Sequence, residues 1–311
     1  LPGDYACLVV QQPNFYGYFE EAERYAELAE AQAAVEADPG RKRELECIAR
    51  TCRRVPAEPA RDFREALQCF WFVHLAIHVE QYGGSISAGR FDQYIYPYYR
   101  QDLDAGALSK QEAWELLLNL WVKFMENVGV KLRQTLFQNL TLGGQDAEGR
   151  DQSNELSYLC LDATVALRVT QPALSVRWHP GISPAFWVRA HEAIAEGLGL
   201  PALFNDTVII PALVTHGVEP QDALGYGIVG CVEASVPGKQ QAVTSGGHLN
   251  VNKALELALN EGRSTISGEQ VGLPTPDPAT FSGFEDLWEA YVAQVEYLSL
   301  IHISEPTRLQ V

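Results

Sequence analysis

The 311-residue sequence predicts an α/β fold with several stacked layers, in the form of a large barrel. Two segments, 63–79 and 109–126, indicate helices with apolar residues on most or all sides, and such helices must be buried between other layers. Along the rest of the chain, short apolar runs alternate with helical patterns, which is typical of parallel strands joined by helices. A small two-layer domain could not cover both apolar helices, so we expect the layers of a larger α/β protein.

The elements before residue 130 are predicted to be helical. Residues 18–52 are rich in Glu, Ala and Arg, and they indicate two solvent-facing helices separated by a turn around Pro39. Ser109 and Glu112 fit a capping box, in which the serine side chain accepts from the backbone and the glutamate reaches back. This box predicts the start of the second apolar helix, which runs through Glu126.

The second half of the chain is predicted to alternate between strands and helices. Predicted strands lie at 135–142 and 173–177, and predicted helices lie at 153–167, 184–196, 209–213 and 250–260. Ser282 and Glu285 form a second capping box, which predicts a last helix through Tyr297. The apolar run from Tyr226 to Val229 is typical of the end of a buried strand.

The charge balance argues against nucleic-acid and membrane partners. Forty acidic and 23 basic residues give a formal net charge of −17, which repels phosphate backbones and anionic lipids. Hydrophobic residues make up 47% of the chain and charged residues 20%, as in ordinary globular proteins. The apolar run at 69–73 is interrupted by His74 and His78, well short of the ~20 apolar residues that span a bilayer. We therefore predict a globular protein without a membrane span.

The cysteines indicate the compartment. Six cysteines are scattered without a CxxC pattern: Cys7, Cys47, Cys52, Cys69, Cys160 and Cys231. Such spacing predicts neither a zinc site nor a disulfide framework, and it favours a reducing cytoplasm. His74 and His78 have the i,i+4 spacing of two metal ligands, but no acidic third ligand accompanies them and their helix has a core pattern. No metal site is predicted.

Cys231 and Glu233, in the run Gly230-Cys231-Val232-Glu233, have the clearest chemical potential. In an extended strand, residues i and i+2 project to the same side, so the thiol and the carboxylate are predicted to face one small molecule. Taken alone, a free cysteine is typical of the core and a glutamate is typical of the solvated surface. Beside a buried thiol, the carboxylate would be partly desolvated, as suits a base.

The segments around this run carry a family resemblance. The matching segments are Gly83 to Tyr94, Asn139 to Gly144, Gln171 to Arg177, Leu200 to Asp206, Ile209 to Leu213, Gly217-Val218 and Tyr226 to Glu233. Together they resemble the glycyl radical enzymes of the pyruvate formate-lyase-like superfamily, and within it the eliminase branch of glycerol- and choline-type dehydratases and lyases. The likeness covers residues 15–297. It implies a barrel of parallel half-sheets wrapped by helices.

The resemblance also implies a radical elimination on a small polar substrate. A backbone radical on a C-terminal glycine would take a hydrogen atom from Cys231, and the resulting thiyl would take one from the substrate. Glu233 would accept a proton from a substrate hydroxyl while water, an amine or a sulfur group leaves the neighbouring carbon. A radical S-adenosylmethionine activating enzyme would install the glycyl radical, homodimers are common in the family, and the chain itself would bind no metal.

The two ends of the chain depart from the family pattern. Glycyl radical enzymes are much longer, so we expect an internal fragment that lacks the N-terminal part and the C-terminal radical-glycine segment, and that is inactive alone. Residues 298–308 read LSLIHISEPTR, which one frame of a common sequencing adapter encodes. We therefore expect a partial barrel domain over 1–297 and a non-native tail over 298–311.

The substrate pocket departs from the glycerol dehydratase pattern. Gly84-Ser85 stands where those enzymes carry His-Ser, and residues 244–248 replace their Trp-His-Asp run, so the diol-binding His and Asp are both absent. Glycerol and propanediol are therefore disfavoured as substrates. The residues expected to line the pocket are Ser85, Thr244, Ser245 and His248. The residues of the matching segments with an expected structural role are Arg90, Asp92, Gln171, Ser175 and Arg177.

Rival functions remain open at this point. Formate acetyltransferase, in the same superfamily, uses two adjacent cysteines, whereas Gly230 precedes the single Cys231 here. Arylacetate decarboxylases keep both the cysteine and the glutamate, while fumarate-adding members do not place a glutamate two residues after the cysteine. A catalytically silent barrel is the rival outside enzymology, and a C-terminal segment without the radical glycine would favour it.

Overall fold

The computed structural model describes residues 16–80, 85–130, 137–240 and 249–304. The chain divides into two compact units, residues 1–244 and residues 245–311. All strands of the described segments belong to the first unit.

The first unit begins with helices and then alternates strands with helices. Its helices are α1 (Tyr16–Val35), α2 (Pro39–Arg54), α3 (Phe63–Glu80), α4 (Phe91–Tyr94), α5 (Tyr96–Asp104), α6 (Lys110–Val130), α7 (Glu155–Leu167), α8 (Pro184–Ala193), α9 (Asp206–Thr215) and α10 (Pro220–Ala223). Its strands are β1 (Asn139–Gly143), β2 (Ala173–Trp178), β3 (Ala202–Asn205), β4 (Gly227–Val229) and β5 (Glu233–Ser235).

A three-stranded parallel sheet in the order β1, β2, β3 organises this unit. Asn139 of β1 is opposite Ala173 of β2, and Ser175 of β2 is opposite Ala202 of β3. Each connection between the parallel strands contains a helix, α7 or α8, because a parallel pair needs a crossover. The predicted α/β arrangement with parallel pairing is therefore confirmed.

The two faces of the sheet differ in chemistry. The residues that pack into the main core are Leu140, Leu142, Leu174 and Val176. The residues at the alternate positions are polar, yet also buried: Asn139, Thr141, Ser175 and Arg177. Successive side chains of a strand point to opposite faces, so the sheet has an apolar face toward the helices and a polar face opposite it. A parallel sheet covered on both faces normally has near-continuous apolar strands, so the polar face indicates a special use.

The core lies between the apolar face and helices α3, α6 and α7. Trp121 of α6 is fully buried, and its indole N–H donates to Thr164 Oγ1 of α7 at 2.7 Å. The apolar side chains of α3 over 63–78 are buried or half-buried, as predicted. Helix α6 differs from the prediction because one stripe faces outward, with Val122 46% exposed.

The capping residues begin helices close to the predicted positions. Ser109 N donates to Glu112 Oε2 at 2.8 Å and Glu112 N donates to Ser109 Oγ at 3.2 Å, which confirms the predicted capping box of α6. Asp38 caps α2 by accepting from Arg41 N at 2.7 Å, at the turn predicted around Pro39.

Over residues 249–304, the second unit contains two α-helices, α11 (Val251–Ala258) and α12 (Phe284–Ser304), and a short 3-10 helix at Pro278–Thr280. The predicted capping box of Ser282 and Glu285 is wrong, because the partner of Ser282 is Asp286 and not Glu285. Ser282 N and Oγ both donate to Asp286 Oδ2, at 2.6 and 2.7 Å, because α12 begins at Phe284 and presents the next carboxylate toward Ser282. Helix α12 also continues past the predicted end at Tyr297.

One prediction about strands also requires correction. The sequence predicts the end of a buried strand at 226–229 and an extended stretch from Cys231 to Glu233, but the chain forms an antiparallel hairpin of β4 and β5, in which Val229 is opposite Glu233. Residues 230–232 form the turn. Strand β3, which no pattern predicts, completes the sheet.

Within the described segments, no helix is both long enough and apolar enough to cross a membrane.

Candidate active site

Cys231 and Glu233 lie at the closed end of the β4–β5 hairpin. Cys231 is in the turn and exposed, whereas Glu233 is the first residue of β5 and half-buried. The expectation that both project from one extended strand is wrong, because the chain leaves β4 at Gly230, whose φ of 62° reverses its direction. The expected burial of the thiol is wrong for the same reason, since the buried run ends at Gly230.

The Glu233 carboxylate folds back over the turn. Its Oε2 accepts a hydrogen bond from Val232 N at 3.0 Å. A Cβ added to Gly230 would lie 2.9 Å from the same oxygen and 3.5 Å from Ser85 Cβ. The carboxylate and the predicted pocket residue Ser85 therefore flank Gly230, immediately before the thiol in sequence.

The hairpin is bound to β1 and to the loop before α4. Ser87 Oγ accepts from Gly230 N at 3.0 Å, and Asn139 Nδ2 donates to the Gly230 carbonyl at 3.4 Å. Thr141 Oγ1 accepts from Ile228 N at 2.8 Å. Asn139 and Thr141 belong to the polar face of the sheet, so this face serves to hold the hairpin.

The segment that enters β4 is held by a buried cluster of charged and polar groups. The Arg177 guanidinium donates to both oxygens of Asp206, at 2.9 and 2.7 Å. It also donates to the carbonyls of Leu224 and Tyr226, at 3.0 and 2.9 Å, and lies 3.9 Å from the centre of the Tyr226 ring. The Tyr226 hydroxyl donates a hydrogen bond to Asp206 Oδ1 at 2.7 Å. We call Arg177, Asp206 and Tyr226 the arginine cluster.

Burial and pairing act in opposite directions on the ionisable groups of this cluster. Burial by itself raises the pKa of Asp206, but the hydrogen bonds and charge of Arg177 outweigh it, and the pKa lies below its ordinary value. Burial raises the pKa of the Tyr226 hydroxyl far above its ordinary value. Asp206 is therefore a carboxylate and Tyr226 a neutral donor, which is the pairing that the hydrogen bonds require.

The structural role expected of Arg90 and Asp92 is confirmed. Arg90 Nη2 donates to the Gly143 carbonyl at 3.0 Å, while Asp92 Oδ2 accepts from Gly143 N at 2.8 Å and from Ser157 Oγ at 2.5 Å. The two side chains thus join the loop before α4 to the end of β1. Burial, together with the nearby Arg177 charge, lowers the pKa of Arg90 to about 10, and burial raises the pKa of Asp92.

Gln171 and Arg177 also have the structural contacts expected of them. Gln171 Oε1 accepts from Gln138 N at 2.9 Å, directly before β1. Ser175 is fully buried, and its hydroxyl has no hydrogen-bond partner in the part of the chain that the structure describes. Its structural role stays a prediction.

His74 and His78 lie in the core of the first unit. His74 Nε2 is 2.9 Å from Gln138 Oε1, and burial lowers the pKa of His74 to about 3. His78 Nδ1 is 2.9 Å from the carbonyl of His74. Among residues 16–80, 85–130, 137–240 and 249–304, no group of three or more His, Cys, Asp or Glu side chains could hold a metal ion.

The other predicted pocket residues cannot be compared with this geometry. Thr244, Ser245 and His248 lie outside the described residues. Sequence reasoning missed the residues that hold the hairpin: Ser87, Asn139, Thr141, Asp206 and Tyr226. A signal for two of them was present, since Asn139 and Thr141 interrupt a buried strand at every second position.

Comparison with known proteins identifies relatives over most of the chain. A family model described as pyruvate formate lyase-like matches residues 15–306. Isethionate sulfite-lyase of Desulfovibrio desulfuricans is 38% identical over 284 residues, which are 88% of this chain and 34% of that protein. Trans-4-hydroxy-L-proline dehydratase of Clostridioides difficile is 37% identical over 290 residues, covering 90% of this chain and 37% of that protein. The chain spans about a third of the length of these curated relatives.

Solved structures of related enzymes superpose well. A structure described for 1,2-propanediol dehydration in Roseburia inulinivorans has a TM-score of 0.82 and 41% identity, covering 90% of this chain and 36% of that one. The glycerol-bound B12-independent glycerol dehydratase of Clostridium butyricum has a TM-score of 0.80 and 38% identity, covering 93% of this chain and 39% of that one. The expectation of a partial barrel of this type is therefore confirmed.

Proposed function

Because this chain belongs to the pyruvate formate lyase-like family, we propose that the whole protein is a glycyl radical enzyme that catalyses elimination from a small polar molecule. The observation that carries the proposal is the closed end of the hairpin. There the exposed thiol of Cys231 lies in the turn, and the half-buried carboxylate of Glu233 follows directly after the turn. A free, exposed thiol is open to hydrogen-atom transfer, and a nearby carboxylate can accept a proton.

The proposed reaction is a radical cycle that begins and ends at the glycyl radical. The Cys231 S–H bond breaks as its hydrogen atom passes to a glycyl radical, which leaves an unpaired electron on sulfur. Cys231 then takes a hydrogen atom from a hydroxyl-bearing carbon of the substrate and becomes a thiol again. Glu233 accepts the hydroxyl proton while the leaving group departs from the neighbouring carbon with its bonding pair, and that proton then passes to the departing group when it leaves as water or an amine. The product radical recovers a hydrogen atom from Cys231, and the thiyl left on sulfur takes back the hydrogen atom that the glycine received, which restores the glycyl radical.

The whole enzyme would have to seal the turn from solvent. A thiyl radical reacts with oxygen and other thiols, and a closed cavity prevents such side reactions. In the chain itself Cys231 is exposed. We therefore propose that the remainder of the whole protein covers the turn during catalysis, together with Ser85, Thr244, Ser245 and His248 as pocket residues.

The substrate class is proposed from the relatives and from the departures at the pocket. The relatives named above include a carbon–sulfur lyase and carbon–oxygen lyases at similar identity, 37–41%. Gly84 and residues 244–248 differ from the diol-binding pattern, so we propose a hydroxylated substrate other than glycerol or propanediol. Water, an amine or a sulfur group would leave.

The partners and setting of the whole enzyme are proposed from the radical chemistry and from the family to which the chain belongs. A radical S-adenosylmethionine activating enzyme would generate the glycyl radical, which is sensitive to oxygen. We propose an anaerobic, cytoplasmic setting and a homodimer. The chain contributes the thiol and the carboxylate and would bind no cofactor of its own.

The geometry disfavours formate acetyltransferase, which would need a second cysteine at position 230. A side chain there would meet the Glu233 carboxylate at 2.9 Å, on a backbone with positive φ. Elimination through Cys231 and Glu233 needs no side chain at position 230.

The test is anaerobic activation of the whole protein followed by a substrate panel. The panel contains isethionate, trans-4-hydroxy-L-proline, 1,2-propanediol, glycerol, choline and an arylacetate, and products are measured by mass spectrometry. Elimination from a hydroxylated substrate other than glycerol and 1,2-propanediol is expected, and turnover of either of these two would overturn the proposed substrate class. Carbon dioxide release from the arylacetate alone would replace the proposal by a decarboxylase, and a protein that forms no glycyl radical would favour a silent barrel.

A further inference from the structure

Gly230 occupies a position that a side chain cannot share with the Glu233 carboxylate. Its φ of 62° lies in the left-handed region that favours glycine. A Cβ at this position would lie 2.9 Å from Glu233 Oε2, closer than a Cβ atom and a non-bonded oxygen approach each other in folded proteins. The space beside the Gly230 Cα is therefore already filled by the carboxylate.

The backbone of Gly230 is held more firmly than the carboxylate. Its N–H donates to Ser87 Oγ at 3.0 Å, and its carbonyl accepts from Asn139 Nδ2 at 3.4 Å. Glu233 Oε2 is the end of a flexible side chain, and the one hydrogen bond that holds it within the described residues comes from Val232 N at 3.0 Å. A methyl group at position 230 would therefore displace the carboxylate rather than the backbone.

We propose that Gly230 is a positioning residue for Glu233, because its missing side chain leaves the space that holds the carboxylate beside the Cys231 turn. The inference rests on the proposed function, since positioning matters to the reaction only if Glu233 is the base. It adds to that function a requirement for glycine at position 230. Any side chain at position 230, a second thiol included, would remove the base from its place.

Hydrogen exchange at the Val232 amide tests the geometry in the 311-residue chain itself. Val232 is 64% exposed, and its N–H is bonded to the Glu233 carboxylate. Gly230→Ala is expected to accelerate exchange at this amide on the order of tenfold, as for the loss of one hydrogen bond to a charged group. Glu233→Ala should give the same acceleration, and the double variant should add nothing further.

Gly106→Ala is the matched control. Gly106 has φ 66°, close to that of Gly230, but a Cβ there would meet nothing within 4 Å. This variant carries the same backbone strain and should leave Val232 exchange unchanged. Unchanged exchange in Gly230→Ala, or a double variant that exchanges faster than Glu233→Ala, would overturn the positioning role.

The activated whole protein separates this role from the proposed function. Gly230→Ala should lower kcat roughly 10²-fold, within the range that general-base catalysis contributes, with a smaller change in KM and an unchanged yield of glycyl radical. Gly106→Ala should retain kcat. A fully active Gly230→Ala beside an inactive Glu233→Gln would refute only the positioning role, whereas an active Glu233→Gln would refute the assignment of the base.

Discussion

The two ends of the β4 hairpin segment have opposite characters. The start of the segment is held by Arg177, which is fully buried with Asp206 and joined to it by two hydrogen bonds. At its closed end, Cys231 is exposed and the neighbouring Val232 is 64% exposed. Stability and chemistry are therefore separated along one short segment. Changes at the arginine cluster should affect folding, and changes at the Cys231 thiol should affect reactivity with little effect on stability.

Removal of the guanidinium should have the largest effect on stability. Arg177→Ala leaves the buried Asp206 carboxylate without its cation, and it also frees the carbonyls of Leu224 and Tyr226. Breaking a buried pair in this way costs about 3–5 kcal/mol. Urea unfolding of the variant and the parent chain measures the difference. A loss below 1 kcal/mol would show that the cluster does not hold this segment.

Loss of the Thr141 hydroxyl should have an intermediate effect. Thr141→Val keeps the volume but leaves the buried Ile228 N–H without its acceptor, at a cost of about 1–3 kcal/mol. Thr170→Val is the control, because Thr170 is exposed and its hydroxyl makes only a long contact, 3.8 Å to the Met125 sulfur, within the described residues; this variant should stay within about 0.5 kcal/mol. Equal losses in the two variants would indicate that the hairpin does not depend on the polar face of the sheet.

The pH dependence of stability should report on Asp206. Its pKa is lower in the folded chain than its ordinary value of 3.8, so its pairing stabilises the fold above that value and is lost as the pH falls through the folded pKa. Asp206→Asn should be less stable at neutral pH and should lose less of its remaining stability in this acid range. Parallel acid-dependent curves for the two proteins would contradict the assignment.

The smallest effect on stability is expected at the thiol. Cys231→Ser changes an exposed atom and should stay within about 0.5 kcal/mol of the parent chain in free energy of unfolding.

Limited alkylation followed by peptide mass spectrometry should label Cys231 well before Cys160, which is fully buried and has its thiol pKa raised by burial. Faster labelling of Cys160 would contradict the exposure assigned to Cys231.

Local sequence patterns predicted the local structure well. The reciprocal bonds of Ser109 and Glu112 and the strand beginning at Ala173 follow from spacing and from side-chain chemistry that act within a few residues. The same reasoning failed at Ser282, because the choice between Glu285 and Asp286 depends on the residue at which the helix begins. A shift of one position changes the partner.

The residues that hold the site were beyond local patterns. Arg177 and Asp206 are 29 positions apart, and nothing near either residue specifies the other. The turn at Gly230 was missed because Cys231 and Glu233 were placed on an extended stretch directly after the strand end, although glycine tolerates the positive φ that a turn can require. The family resemblance supplied Cys231 and Glu233, whereas the contacts of Ser87, Asn139 and Thr141 required the folded chain.

The central claim is that Cys231 carries the hydrogen atom and Glu233 takes the proton. The most direct measurement is turnover of the activated whole protein beside its electron paramagnetic resonance spectrum, for Cys231→Ser and for Glu233→Gln. We predict that both variants form the glycyl radical signal and that neither gives product. Product formation by either variant, at a radical yield equal to that of the parent, would contradict the role assigned to that residue.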